Sequence, residues 1–202
     1  IMHLIKQCDF KDGYVYYQVS RGVDDIRSHI YKESISTETF GYIVEHAFKP
    51  KSLKVIFCED LRWQRCDIKS TSLLGNVMSM NFASDKGCDE VIMHKNDLIT
   101  EGGASNIFFT NNDCVYTPSL SSNILPGITR ELLITKIKES GIRVQEGQYT
   151  LDDLKNAKSI WLTSSTKGLA QVSEILDCKT NLEIDNTLFK KCEEIFKNNF
   201  FI

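Results

Sequence analysis

The chain has 202 residues, 42% of them apolar and 25% charged, with a formal net charge of −3. That length suits one generous domain, or one domain plus part of another, with a core of its own. No apolar run approaches the roughly 18 residues of a membrane helix, and no basic block forms a nucleic-acid footprint, so small molecules and other protein chains are the expected partners. Seven cysteines, an odd count, include no C-x-x-C pair and no histidine at metal-ligand spacing. They fit free thiols in a reducing cytosol, a cytoplasmic setting, and no metal is expected. The first residue is isoleucine, and Ile1 to Ile5 is too short and mixed for a signal peptide, so the chain is expected to be cut at its front end.

In chain order, Gly13 to Val19 is rich in aromatic and β-branched residues after the turn Lys11-Asp12-Gly13 and predicts a strand, which leads into a polar loop from Ser20 to His29. The pattern loosens between Tyr42 and Lys51 around Pro50, which places a domain boundary near residue 47. Residues 1–47 are then the end of a small α/β domain and 48–202 a larger one. Leu53 to Cys58 reads as a strand. Leu73, Leu74, Val77, Met80 and Asn81 fall at helical spacing in a segment ending near Gly87. Glu90 to His94, Leu98 to Glu101, Ile107 to Thr110 and Cys114 to Thr117 alternate with the turn clusters Lys95-Asn96-Asp97 and Asn111-Asn112-Asp113, a run of antiparallel hairpins. Pro126-Gly127 precedes a helix from Arg130 to Ser140, closed by Gly141. A short helix at Leu151 to Ala157 feeds the strand Ile160 to Thr163, and a last helix carries Leu188, Cys192, Ile195 and Phe196 on one face. No internal repeat or low-complexity tract appears. Strand runs with separated helices predict an α+β fold with a barrel-like sheet.

Three segments share a physical theme. Gly127 sits just before a helix start, so the backbone N–H groups of Ile128 and Thr129 project unpaired from the positive end of the helix dipole. Thr163-Ser164-Ser165-Thr166 ends a strand with four hydroxyls in a row, and Gly102-Gly103-Ala104-Ser105 is a glycine turn followed by a hydroxyl. Each offers donors to a phosphate, although helix starts and serine turns mostly meet water, and periodicity cannot show that the three converge. Lys69 lies between a strand and a helix, where an isolated lysine is usually a solvated surface group. Glu101, at a hairpin end, would by default be an exposed carboxylate.

The specific signal is joint. Arg62-Trp63-Gln64-Arg65-Cys66-Asp67-Ile68-Lys69, Leu73-Leu74-Gly75-Asn76, Thr100-Glu101-Gly102, Ser105-Asn106-Ile107-Phe108 and Leu125-Pro126-Gly127-Ile128-Thr129-Arg130 resemble, in order, the motifs of fold-type IV pyridoxal-5′-phosphate (PLP) enzymes, the D-amino-acid and branched-chain aminotransferase family. The resemblance runs from about Tyr14 to Cys178. It implies an α+β, D-amino-acid aminotransferase-like fold with PLP as cofactor. Lys69 would hold the cofactor covalently and carry protons at the substrate α-carbon. Glu101 would pair with the ring nitrogen, and Leu125 would pack on the ring. The Ile128 and Thr129 amides, with Ser164, Ser165, Thr166 and Ser105, would hold the phosphate.

Gln18-Val19-Ser20-Arg21-Gly22 and the Arg27-Ser28-His29 that follows resemble the segment with which D-specific members capture the substrate carboxylate, Arg27 and His29 forming the trap. Asp24, Asp25 and Ile26 stand where relatives often carry proline and small residues. The reaction implied moves an amino group between a D-amino acid and a 2-oxo acid, in a homodimer. A branched-chain L-amino-acid aminotransferase and an aminodeoxychorismate lyase share the cofactor, and a non-catalytic remnant is the alternative of another class. Full-length relatives carry roughly 75 further residues at the front, on the scale of a small subdomain, including an arginine that grips the phosphate. By itself this chain is therefore expected to bind PLP weakly, unless Arg130 or Lys167 turns inward.

Overall fold

A computed structural model describes residues 1–49, 51–111, 113–183 and 186–200. Pro50, on which the sequence centres its boundary, and Asn112, in the second turn cluster, lie outside the described residues. In order the elements are α1 (Met2–Ile5), β1 (Gly13–Ser20), β2 (Glu38–Glu45), β3 (Ser52–Glu59), α2 (Leu74–Asp85), β4 (Glu90–Lys95), β5 (Leu98–Gly102), β6 (Asn106–Asn111), β7 (Cys114–Pro118), α3 (Ile128–Glu139), β8 (Arg143–Gly147), α4 (Leu151–Lys155), β9 (Ser159–Ser164), β10 (Gly168–Ile175) and α5 (Thr187–Phe200). They fall into two compact units, Ile1–Lys49 and Pro50–Ile202.

The first unit is an antiparallel ribbon, β1 on β2, in register from Gly13↔Glu45 to Ser20↔Glu38. None of its described residues is buried, and Tyr17, Val19, Phe40 and Tyr42 are exposed. Two strands with so little covered surface have no core of their own. Between the strands, residues 21–37 form a loop pinched at its neck. A Cβ on Gly22, at φ +114°, would lie 1.9 Å from the Ser36 carbonyl oxygen, so only glycine fits. Lys32 Nζ crosses the loop to Asp25 (2.7 Å) and Asp24 (3.3 Å), and the Arg21 guanidinium lies 3.6 Å from the centre of the Tyr31 ring.

The second unit is built on one eight-stranded sheet of order β5-β4-β3-β10-β9-β6-β7-β8. The predicted hairpins β4–β5 and β6–β7 are present, the first turning through Asn96 and Asp97 at positive φ. They do not pair with each other. β6 instead pairs with β9, and three pairings are parallel: β3 with β4 across α2, β10 with β3, and β7 with β8 across α3. The fold is thus α+β with two β-α-β crossovers set into it.

The connection from β5 to β6 forces the sheet to curl. These strands stand five places apart in the order, about 24 Å in a flat sheet. Only Gly103, Ala104 and Ser105 join them, a link that spans at most about 15 Å. The sheet therefore closes partly on itself as a half-barrel.

Alternation along the strands then sorts the apolar residues into two faces. Leu53, Val55, Ile92, Ile107, Phe109, Ile160, Leu162, Ala170 and Val172 form one cluster, completed by Leu154 of α4. On the other face Phe108, Trp161 and Leu169 pack under α3 and α5, with Phe108 and Trp161 stacked at 5.7 Å, while Ile56, Val91 and Met93 lie under Ala83 of α2. The outward side of α2 stays uncovered in the monomer: Leu73, Leu74, Val77, Met78 and Phe82 are exposed. No helix among the described residues is long and apolar enough to cross a membrane.

Candidate active site

Glu101 lies on β5 where the sheet curls, and it is 4% exposed. Three donors converge on its carboxylate. Arg62 Nη1 reaches Oε1 at 2.7 Å, while Asn106 Nδ2 and the Leu125 backbone N–H each reach Oε2 at 3.0 Å. Arg62 is itself buried and clamped from the other side, with Nε and Nη2 donating to the two oxygens of Asp60 at 2.9 and 2.8 Å and Nη2 also donating to the Asn123 carbonyl at 3.0 Å. Thr100 Oγ1 completes the Asp60 shell at 2.8 Å. A buried Asp60–Arg62–Glu101 chain results, with neighbouring polar groups supplying the hydrogen bonds that make such burial tolerable.

The two carboxylates titrate differently. Burial pushes the Glu101 carboxyl from 4.5 up to about 7, against the hydrogen bond and charge of Arg62 and the Leu125 N–H, with the Asp60 charge adding to the rise. For Asp60, burial also raises the pKa, but hydrogen bonds from Arg62 and Thr100 outweigh it and hold the group below the ordinary carboxylate range. Arg62 has lost much of its water, yet its two carboxylate partners keep its pKa above the ordinary value. The guanidinium stays charged, and its pairing with Asp60 is the firmer of the two. Glu101 is thereby a group whose charge an added cationic partner would stabilise.

Asn106, the first residue of β6, ties this cluster to the α3 start. Its Nδ2 also donates to the Leu125 carbonyl at 2.9 Å, and a Cβ on Gly127 would sit 2.1 Å from its Oδ1. Glycine at 127 is what lets the helix start come this close. No side chain caps α3, and the Glu131 N–H is the one that bonds back to the Gly127 carbonyl, so the N–H groups of Ile128 and Thr129 sit at an uncapped positive helix end. Ile128 is 66% exposed and Thr129 buried.

The other two anion-type segments meet at a second buried carboxylate. Glu90, fully buried at the start of β4, accepts from Ser105 Oγ at 2.5 Å and from the Ala104 N–H at 3.1 Å, and pairs with Lys167 Nζ at 2.7 Å. Lys167 belongs to the β9–β10 turn, residues 165–167, whose hydroxyls lie close together: Ser164 Oγ is 3.5 Å from Thr166 Oγ1 and accepts from the Lys167 N–H at 3.2 Å. Since Asn106 also pairs with Thr163 across β6–β9, the Gly102–Ser105 turn, the Ser164–Lys167 turn and the α3 start gather at one end of the half-barrel. Arg130 is turned away from that end, donating to the Pro118 carbonyl at 2.8 Å and pairing with Glu146 at 2.9 Å.

Lys69 lies exposed in the segment between β3 and α2. The Cys66 N–H donates to the Ser122 carbonyl at 2.7 Å, which ties this segment, like Arg62, to the stretch ending at Leu125. Arg27 and His29 are exposed in the first unit's loop. A cavity of about 430 Å³ in that unit, lined by Asp9, Phe10, Lys11, Asp12, Glu45 and Ala47, contains none of the candidate residues. All seven cysteines are free, and no cluster of three or more metal-ligating side chains occurs among the described residues. Sequence reasoning assigned no role to Asp60, Arg62, Asn106 or Glu90. Three of the four stand inside or beside recognisable motifs, but their mutual contacts depend on strand pairings that no local pattern reveals.

The profile of the family Amino-transferase class IV matches residues 1–175. A D-alanine aminotransferase of Listeria monocytogenes serotype 4b is 35% identical over 180 residues, covering 85% of this chain and 62% of its own. The chain thus spans about three-fifths of that relative's length. Among solved structures, the branched-chain amino acid aminotransferase of Escherichia coli superposes with a TM-score of 0.82 at 19% identity, covering 98% of this chain and 69% of its own. An aminotransferase from Brucella abortus bound to PLP gives 0.83 at 18%, covering 96% and 71%. At such identities these structures bear on the fold alone, whereas the profile spans most of the sequence, and the chain belongs to the class IV aminotransferase family.

Proposed function

We propose that the protein is a PLP-dependent aminotransferase acting on D-amino acids such as D-alanine or D-glutamate, with a 2-oxo acid as acceptor. The observation that carries the reading is the buried Glu101, held by Arg62, Asn106 and Leu125 beside an uncapped helix start that only a glycine allows. These residues fit PLP. Glu101 would face the ring nitrogen and keep it protonated, and Leu125 would border the ring. The Ile128 and Thr129 amides and the Ser164, Ser165 and Thr166 hydroxyls would hold the phosphate. PLP, when bound, supplies an aldehyde that takes up the amino group and a protonated ring that accepts the α-carbon's electron pair. Lys69 would bond the cofactor and, once displaced by substrate, move the proton at the α-carbon.

Arg27 and His29 would hold the substrate carboxylate, and the D-alanine aminotransferase relatives favour that assignment. In the same loop Lys32 pairs with Asp24 and Asp25. Arg27→Ala is expected to raise KM for D-alanine by the cost of a lost charge-assisted pair, about 2 to 4 kcal/mol, with a smaller effect on kcat. The deciding assay sets D-alanine and 2-oxoglutarate against L-leucine and against aminodeoxychorismate. Preference for L-leucine would move the branched-chain reading ahead, pyruvate release from aminodeoxychorismate the lyase reading, and turnover of none the non-catalytic one. The exposed apolar side of α2 supports a homodimer, and the seven free thiols fit a cytoplasmic setting.

The Glu101 carboxyl has a pH signature independent of turnover. Its pKa is raised in the folded protein, so between 4.5 and about 7 the native state binds more protons than the unfolded one. The stability this contributes is complete below that window and lost as pH rises through it. Denaturant titrations of the cofactor-free protein should show this decline, and Glu101→Gln should flatten it. The same substitution should slow α-proton removal more than it weakens substrate capture, and a change confined to KM would mean that Glu101 has another role.

A further inference from the structure

We propose that Asn106 is a positioning residue of the PLP site, its carboxamide setting the Glu101 carboxylate and the approach to α3 in one fixed relation, an inference that rests on the PLP reading above. The side chain is buried. Its two Nδ2 hydrogens have separate acceptors, Glu101 Oε2 at 3.0 Å and the Leu125 carbonyl at 2.9 Å. Exchanging Nδ2 and Oδ1 would set an oxygen against both acceptors, so the amide has a single orientation. In that orientation Oδ1 lies toward Gly127, where a Cβ would stand 2.1 Å from it. The backbone is held as well, because Asn106 pairs with Thr163 across β6–β9 and its carbonyl accepts from Thr163 Oγ1 at 3.5 Å.

A neutral amide suits this task because Arg62 already supplies positive charge at Glu101 Oε1 and is shared with Asp60. Asn106 and the Leu125 N–H orient Oε2 without adding charge, which leaves the carboxylate's negative charge for a cationic ring nitrogen. The same Nδ2 grips the Leu125 carbonyl, so the residue that would border the ring is tied to the group that would face its nitrogen. The charged and titratable groups around Glu101 are Arg62, Asp60 and the Cys66 thiol, which burial pushes up and keeps neutral.

The test reads Asn106→Ala in two ways. In the cofactor-free protein, denaturant titrations across pH should place the upper end of the Glu101 window above about 7, by roughly one pH unit, because a donor to the ionised carboxylate has been removed. A residue that only fills space would lower stability at every pH and leave the window where it is. Calorimetric titration with PLP should show binding weakened on the order of tenfold. In a Glu101→Gln background the same substitution should cost much less, since no carboxylate remains to be oriented. Asn106→Ser, which keeps a polar group in the strand, gives both readouts should the alanine variant fail to fold. An unmoved window, or an equal loss of PLP affinity in the two backgrounds, would overturn the role of Asn106 while leaving PLP binding intact. Failure of the unmodified protein to bind PLP would overturn the aminotransferase reading, and the pH result, obtained without cofactor, tells the two failures apart.

Discussion

On the proposed reading, in which Lys69 both bonds the cofactor and carries the α-proton, Lys69→Ala is expected to lower transamination on the order of a thousandfold or more. PLP should still enter a cradle built from Glu101, Leu125 and the α3 start, so the loss appears in kcat and in chemistry rather than in solubility or fold. Borohydride treatment followed by peptide mass analysis should find the cofactor mass on Lys69 in the unmodified protein and on no lysine in the variant. Lys69 is exposed, in a segment anchored three residues earlier by Cys66 on Ser122, so that anchor does not depend on the Lys69 side chain. Turnover close to that of the unmodified protein would sink the aminotransferase reading.

Arg62→Met is expected to destabilise the protein by about 3 to 5 kcal/mol, the cost of leaving buried carboxylates without their cation. Asp60 and Glu101 both lean on this guanidinium, and all three side chains are about 5% exposed. Chemical denaturation at pH 7 should show the loss. It should shrink on acidification, because the guanidinium that lowers both carboxyl pKa values against their burial is gone, so Glu101 and Asp60 take up protons at a higher pH than in the unmodified protein. Adding Glu101→Gln to Arg62→Met should recover part of the stability, a coupling that a double-mutant cycle reads directly. Additive effects would mean that the Arg62–Glu101 contact at 2.7 Å contributes little, and that Asp60 is the partner that matters.

Strands whose outward or inward residues announce themselves were legible without coordinates. Gly13–Ser20, Ser52–Glu59, Glu90–Lys95 and Ser159–Ser164 carry dense β-branched and aromatic residues, and α2, α3 and α5 show helical spacing, closed after α2 by Gly87 and after α3 by Gly141. Missing from that reading were α1, β2, β8 and β10. β2 has a glycine at its centre, set 3.0 Å from the Tyr16 carbonyl by its virtual Cβ, and it resembles a loosening chain. β8 is an edge strand with only Val144 and Gly147 partly covered, so its sequence is nearly as polar as a loop. β10 follows a turn of hydroxyls, and its place is settled by neighbours far away in sequence, β9 on one side and β3 on the other.

The site divides in the same way. The sequence by itself determined the family resemblance, the identity of Lys69 and Glu101, and the presence of three segments rich in anion donors, because each is a local arrangement of residue types around a turn or helix start. Only the tertiary structure decided that the three segments converge, since convergence depends on a three-residue link joining two strands, β5 and β6, that stand five places apart in the sheet. It also decided which charges pair with which. Arg62 is committed to Asp60 and Glu101, Arg130 to Glu146, and Lys167 to Glu90. A salt bridge forms between side chains that folding brings within a few ångströms of each other, and nothing in the order of residues 62 and 101, or 90 and 167, encodes that distance.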